Sequence, residues 1–331
     1  MKTLTPARLI LLLSPYVICL AASLLLAPLI GSESISIQAV FSGRNAIDTE
    51  IFFYQRIPRI ILAALVGGAL ATVGACFQGI LRNPLAEPYT LGVTGGSAVG
   101  AASAIIFPAL QWSWGPFSTV QALALAGAAL SMGFIYLLAN RPQGIAMNTL
   151  LLAGVTVSIL CGGVILLLRY IASPNYLAQM DRWLMGGLDV VGYHDLSLLL
   201  PFLLPGLGLL FGGMVEINHL TLGQDMAMGH GVNVRSAHRR LFFGGSLATA
   251  AAVSLAGPIG FVGLIAPHAV RRLSGFDHRV VLPGSFMLGG AFLVLCDAIA
   301  RTLLAPREIP VGVITAMIGG PLFIYLLVRR N

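Results

Sequence analysis

The sequence predicts an all-α integral membrane protein with about ten transmembrane helices related by an inverted repeat. Three observations predict it: 57% of the 331 residues are hydrophobic, only 9% are charged, and the apolar residues gather into runs long enough to cross a bilayer. Soluble domains are about a quarter charged, so a water-solvated surface of this size cannot be built from this composition. A crossing helix needs about 20 apolar residues at roughly 1.5 Å each, which leaves room for some ten spans and no large soluble domain. Residues 1–331 are expected to form a single transmembrane domain.

The first apolar run, residues 9–30, is too long for a signal-peptide core and lacks a small-residue cleavage site, so it is expected to be the first span. Nine more runs follow, at 57–81, 91–107, 117–139, 148–171, 196–215, 241–256, 259–269, 281–300 and 310–328. The eighth run is short and broken by Pro258 and Pro267, which predicts a half-helix packed inside protein, away from lipid.

Cytoplasmic loops retain Lys and Arg, which fixes the orientation. With the N-terminus inside, twelve basic residues fall inside: Lys2, Arg8, Arg82, Arg141, Arg235, Arg239, Arg240, Arg271, Arg272, Arg279, Arg329 and Arg330. They meet only Glu87, Glu216, Asp225 and Asp277, whereas the seven outside arginines, Arg44, Arg56, Arg59, Arg169, Arg182, Arg301 and Arg307, are balanced by seven carboxylates. The net charge of +7 therefore records topology, with both termini inside, and is no sign of nucleic-acid binding.

Two counts exclude chemistries. A P-loop needs a lysine after its glycine-rich turn, and Lys2 is the one lysine in the chain, so ATP hydrolysis must come from another polypeptide. Cys19, Cys76, Cys161 and Cys296 lie singly in apolar runs, the pattern of small buried hydrophobes and not of metal ligands or disulfides. No catalytic residue, cofactor or resident metal is expected. His219, His230, His238 and His278 are expected to be solvated loop residues, His268 a helix-end structural residue, and His194 a surface residue outside.

Gly67-Gly68-Ala69-Leu70-Ala71-Thr72 in the second run recurs as Gly244-Gly245-Ser246-Leu247-Ala248-Thr249 in the seventh. An offset of five spans makes the copies antiparallel, the trace of an inverted repeat around a central pathway. Gly92, Gly96 and Gly100, spaced by four, allow close helix packing where lipid supplies no hydrophobic drive. Outside, Arg56 and Arg59 are three apart, and Pro58 suits a first helical turn, so both guanidinium groups are expected on one side of a helix N-terminus. Cations there oppose the macrodipole, which points to an anionic partner. Arg301 has Asp297 four residues before it, so an intrahelical ion pair is an alternative for it.

Several ordered motifs go beyond composition: Gln55-Arg56-Ile57-Pro58-Arg59-Ile60, Arg82-Asn83-Pro84-Leu85-Ala86-Glu87-Pro88, Leu91-Gly92-Val93, Leu150-Leu151-Leu152-Ala153-Gly154, Trp183-Leu184-Met185-Gly186-Gly187, Gly260-Phe261-Val262-Gly263-Leu264-Ile265-Ala266-Pro267-His268 and Glu308-Ile309-Pro310-Val311-Gly312. In this order they resemble the FecCD family of ABC-transporter permeases, type II importers of ferric siderophores, haem or vitamin B12. The resemblance covers residues 10–328.

That resemblance implies a permease subunit of the inner membrane that forms a homodimer, or pairs with a close relative, around a translocation pathway. Two copies of an ABC ATPase subunit would bind inside, and a periplasmic or lipid-anchored substrate-binding protein outside would deliver a metal chelate. The longest inside loop, about 216–240, resembles the family's coupling helix, matched by Leu222, Gly223, Ala227 and Gly231; Gln224 and His230 depart from its usual Glu and apolar residue. In vitamin-B12-type relatives, arginines matching Arg56, Arg59 and Arg301 receive glutamates of the binding protein. Met147 and Asn148 align with the position that narrows the pathway and are expected to form a cytoplasmic gate. An ion-coupled ten-span secondary transporter is the alternative, and it needs buried ionisable groups near the midplane, where only Asp297 is conspicuous. A membrane-embedded enzyme would need a catalytic dyad or acidic metal cluster that the sequence does not contain.

Overall fold

The computed structural model describes residues 5–31, 33, 35–42, 46–89, 91–110, 118–141 and 144–328. Lys2, Arg44, Arg329 and Arg330, which enter the charge count above, lie outside them. In chain order the helices are α1 (Pro6–Leu26), α2 (Ile37–Ser42), α3 (Ala46–Glu50), α4 (Ile57–Ile80), α5 (Val93–Ile106), α6 (Thr119–Ala139), α7 (Met147–Ile171), α8 (Pro174–Leu184), α9 (His194–Gly212) and α10 (Met214–Thr221). Then come α11 (Gln224–Gly229), α12 (Val234–Ala256), α13 (Val262–Ser274), α14 (His278–Thr302) and α15 (Val311–Val328). Between α6 and α7, β1 (Asn140–Arg141) and β2 (Gly144–Ile145) pair antiparallel as a minimal hairpin.

Each apolar run of the sequence is matched by one helix: α1, α4, α5, α6, α7, α9, α12, α13, α14 and α15. Among the described residues six stretches are long and apolar enough to cross a membrane: Pro6–Leu29, Ala46–Ile80, Thr119–Ala139, Asn148–Ile171, His194–Gly212 and His278–Thr302. Helix α13, with 13 residues, reaches only about 20 Å and is a half-helix as expected. Pro267 does not break it, however, and the helix continues to Ser274. The missing Pro267 N–H leaves the Gly263 carbonyl, four residues earlier, without its helical donor. Gln78 of α4 fills that vacancy, its Nε2 donating to Gly263 O at 2.9 Å, and Arg271 in turn donates to Gln78 Oε1. A neighbouring helix thus satisfies the freed backbone group, the condition for a proline inside a membrane helix.

Helix α4 is the axis of the core, with a nearly continuous buried surface from Ile60 to Ile80. It packs against α14, α13, α12 and α1. The approach to α14 is close at Gly67, where an added Cβ would lie 2.4 Å from the Gly289 carbonyl oxygen, so the small residues are required by backbone contact. A second, smaller cluster joins Ile105 and Ile106 of α5, Leu168 of α7 and Met180 of α8.

The repeat is visible in the element order. The Gly-Gly sequence lies in α4 in one half and in α12 in the other, and each helix leads through a loop into a short helix of 14 (α5) or 13 residues (α13). Both short helices begin at a left-handed N-cap, Gly92 with φ 77° and Phe261 with φ 68°.

Candidate functional site

At one end of the bundle, α3 runs through a π-helical turn, Ile51–Arg56, directly into α4, so Pro58 does not start a helix. Arg56 and Arg59 therefore do not oppose a helix N-terminus, and that part of the sequence argument is corrected. Two backbone carbonyls just ahead of the proline are taken from outside the helix: Tyr54 O by the Gly192 N–H at 2.7 Å and Phe53 O by the Tyr193 hydroxyl at 3.0 Å. These contacts fasten the segment after α8 onto the head of α4.

The three arginines singled out by sequence come together. Arg56, only 5% exposed, donates Nη1 to Pro28 O at 2.9 Å and Nη2 to the Glu33 carbonyl. Arg59 binds Asp297 Oδ1 at 2.9 Å and Glu308 Oε2 at 2.7 Å. Arg301 lies 2.9 Å from Asp297 Oδ2 and donates to Ile30 O at 3.1 Å, while its Nη2 has no hydrogen-bond partner among the described residues. Asp297, fully buried, is thus shared by two guanidinium groups, and the intrahelical pair read from sequence is present. Arg56, Arg59, Arg182 and Arg301 line a cavity of about 750 Å³ together with Glu33, Asp189 and Glu308. Its wall is close to charge-balanced; the sequence reading counted these carboxylates on the same side as the arginines but did not place them in one site with them. An incoming carboxylate would compete with Glu308 for Arg59, whereas Arg301 retains a donor without an acceptor among the described residues.

At the other end the loop expected to dock a partner folds as α10 and α11. Gly223 separates them with φ 118° and ψ 157°, a conformation essentially confined to glycine, and its carbonyl accepts the Ala227 N–H at 3.0 Å. Ala227 is fully buried, while Leu222, Met226 and Met228 are all more than half exposed. Flexible exposed methionines beside a leucine suit an adaptable protein contact; the sequence reading had not singled out Met226 or Met228. Gly231 has φ 81° and ends this turn.

A polar clamp holds this loop to the core. Asn218 of α10 donates Nδ2 to Asp277 Oδ1 at 2.8 Å and accepts the His278 backbone N–H at 2.8 Å. Burial acts to raise the Asp277 pKa, but hydrogen bonds from Arg279 and Asn218 outweigh it and hold the carboxyl down at about 2. Glu216 and Arg240 close a second tie at 2.5 Å. His238 and His278 are buried, not solvated, and His219 stacks on His230 with ring centroids 5.0 Å apart. Glu87, counted from sequence as a loop carboxylate, is also buried and accepts the Phe261 backbone N–H. Asn148 is exposed in the first turn of α7, and the Met147 side chain lies outside the described residues.

A helical membrane core with a polar arginine-lined cavity at one end and a short exposed helix at the other defines a membrane transport subunit. The chain belongs to the FecCD transport family, whose profile matches residues 18–329. It is 39% identical over 325 residues to an uncharacterized ABC transporter permease, YvrB, of Bacillus subtilis strain 168, covering 94% of this chain and 92% of the other. It is 45% identical over 276 residues to the cobalamin import permease BtuC of Halobacterium salinarum, covering 83% and 73%. Similarity to the hemin transport permease HmuU of Yersinia pestis is 37% over 305 residues, covering 91% and 90%. Among solved structures, an inward-facing ABC transporter described as of the metal-chelate type superposes with a TM-score of 0.85 at 30% identity, covering 96% of this chain and 98% of that one. The ion-coupled alternative is set aside by this membership.

Proposed function

We propose that this permease subunit of an ATP-driven importer passes a metal chelate, a cobamide, ferric siderophore or haem, from a binding protein outside into the cytoplasm. The observation that carries the cargo class is what the named relatives share: cobalamin and hemin are both large metal chelates. In this reading the whole chain is one permease domain in the inner membrane, both termini are cytoplasmic, and two copies form a homodimer around the pathway. Loaded binding protein docks through its carboxylates on Arg56, Arg59 and Arg301. Two ATPase subunits grip Leu222 and the α11 surface, for which Gly223, Ala227 and Gly231 supply the shape. Met147 and Asn148, beside the α6–α7 hairpin, close the cytoplasmic side; a thioether and an amide can seal a pore without holding cargo tightly.

Reconstitution in liposomes tests it: the chelate that is carried stimulates ATP hydrolysis when loaded on its binding protein and accumulates inside. Reversing Arg56 and Arg59 together to Glu abolishes docking and leaves basal ATPase activity. Because Arg56 also holds two backbone carbonyls, Arg59→Gln serves as the milder variant and weakens docking. Unchanged docking in both would overturn the assignment.

A further inference from the structure

Between α6, α9 and α12 lies a crevice of about 450 Å³ with an almost wholly apolar wall, formed by Met132, Tyr136, Phe202, Phe242 and Phe243, and with Arg239 at one end. Its back is rigid: Phe242 stacks between Phe77 and Tyr136, with ring centroids at 6.0 and 5.9 Å. Along α12 the lining runs from Arg239 to Ala250, eleven residues or about 16 Å. One leaflet of hydrocarbon is about 15 Å deep, so the crevice has the depth of a single acyl chain.

The mouth carries charge without a counter-charge. Arg235 and Arg239 are both exposed, four residues apart on one face of α12, and among the described residues neither has an ion pair, whereas the neighbouring Arg240 is neutralised by Glu216. Like charges at this spacing repel, and an anion between them removes the penalty. Tyr136 sits at the same end as Arg239, giving the cation and phenol that favour headgroup depth.

We infer that this crevice binds an anionic phospholipid of the cytoplasmic leaflet, one acyl chain lying against Phe242 and Phe243 and the phosphate held by Arg239 and Arg235. The leaflet rests on the orientation proposed above; the crevice and its charge do not. A lipid seated there braces α12 where that helix leaves the docking loop.

Native mass spectrometry of the complete transporter, released from micelles containing phosphatidylglycerol or phosphatidylcholine, tests it. The unmodified complex retains phosphatidylglycerol preferentially. Arg239→Gln lowers its retention about fivefold and leaves phosphatidylcholine unchanged. Gly133→Phe adds a ring where an added Cβ meets nothing within 4 Å, fills the crevice and lowers retention of both lipids. An unchanged lipid preference in Arg239→Gln, or full retention in Gly133→Phe, would overturn the site. Separately, Asp225→Cys in a chain without its native cysteines should react with an impermeant maleimide only in inside-out vesicles. Reaction from the outside would overturn the leaflet assignment while the mass-spectrometric result continued to decide the site.

Discussion

Replacing Asp297 by Asn removes one negative charge from a place where two guanidinium groups depend on it. The side chain is fully buried, with Arg59 Nε and Arg301 Nε each 2.9 Å away. Arg59 keeps Glu308, but Arg301, 4% exposed, keeps only the Ile30 carbonyl among the described residues. Removing one partner of a buried pair costs about 3–5 kcal/mol because the surviving charge has no compensation. Asn has nearly the shape of Asp, so no cavity contributes and the loss is electrostatic. Denaturant unfolding of the purified permease in mixed micelles, followed by tryptophan fluorescence, measures it. The double variant Asp297→Leu with Arg301→Met removes both charges and should recover most of the stability. A loss below about 0.5 kcal/mol for Asp297→Asn would refute the reasoning, since that is the size of a screened surface pair.

Three further outcomes follow from the same structure. Gln78→Leu strands the Gly263 carbonyl and an Arg271 donor, and should cost about 1–3 kcal/mol for each buried group left unsatisfied, measured by the same unfolding. Gly223→Leu forces a side chain into a φ of 118° and should uncouple transport from ATP hydrolysis while the ATPase subunits still copurify; normal transport by the full complex would count against α11 as the dock. The Asp277 carboxyl is held at about 2, below its unfolded value near 4, so its contribution is fully present above that unfolded value and is lost as pH falls through about 2. Amide exchange at Val280 and Val281, corrected for intrinsic rates, should be flat from about pH 8 to pH 5 and accelerate as pH falls below about 4 toward 2, with less acceleration in Asp277→Asn; the same acid acceleration in Asp277→Asn would show that the clamp does not depend on the carboxylate.

The spans were legible because hydrophobic length is a local property, and each apolar run became a helix. What stayed hidden needed partners distant in sequence. Pro267 read as a break because nothing local shows that Gln78, on another helix, would take the Gly263 carbonyl. Pro58 read as a helix start because the loop that binds Phe53 and Tyr54 follows 138 residues after Tyr54 at its nearest contact, Gly192. Helix α8 is amphipathic, with Asp181 and Arg182 among its residues, and was passed over as an outside loop, yet its buried Met180 anchors it to α5 and α7. The arginines were found by spacing and motif, and Asp297 as the intrahelical partner of Arg301, but the bonds of Arg59 to Asp297 and Glu308 were not, since they form only where α14 and the segment after it pack on α4.

Residues Ala46–Ile80 are one helical rod of 35 residues, about 50 Å long. Its N-terminal half sets Arg59 over Asp297, and just past its C-terminal end the Arg82 guanidinium lies 3.8 Å from where a Cβ on Gly223 would stand. The two ends are therefore in phase. One residue inserted into the α-helical part would turn one end by about 100° relative to the other and take either the arginine pair or the contact with the α10–α11 loop out of register. The π-helical turn at Ile51–Arg56 winds one more residue into its hydrogen-bonded loop than the α-helix does, so it is the one stretch of the rod where such a shift of register is already absorbed.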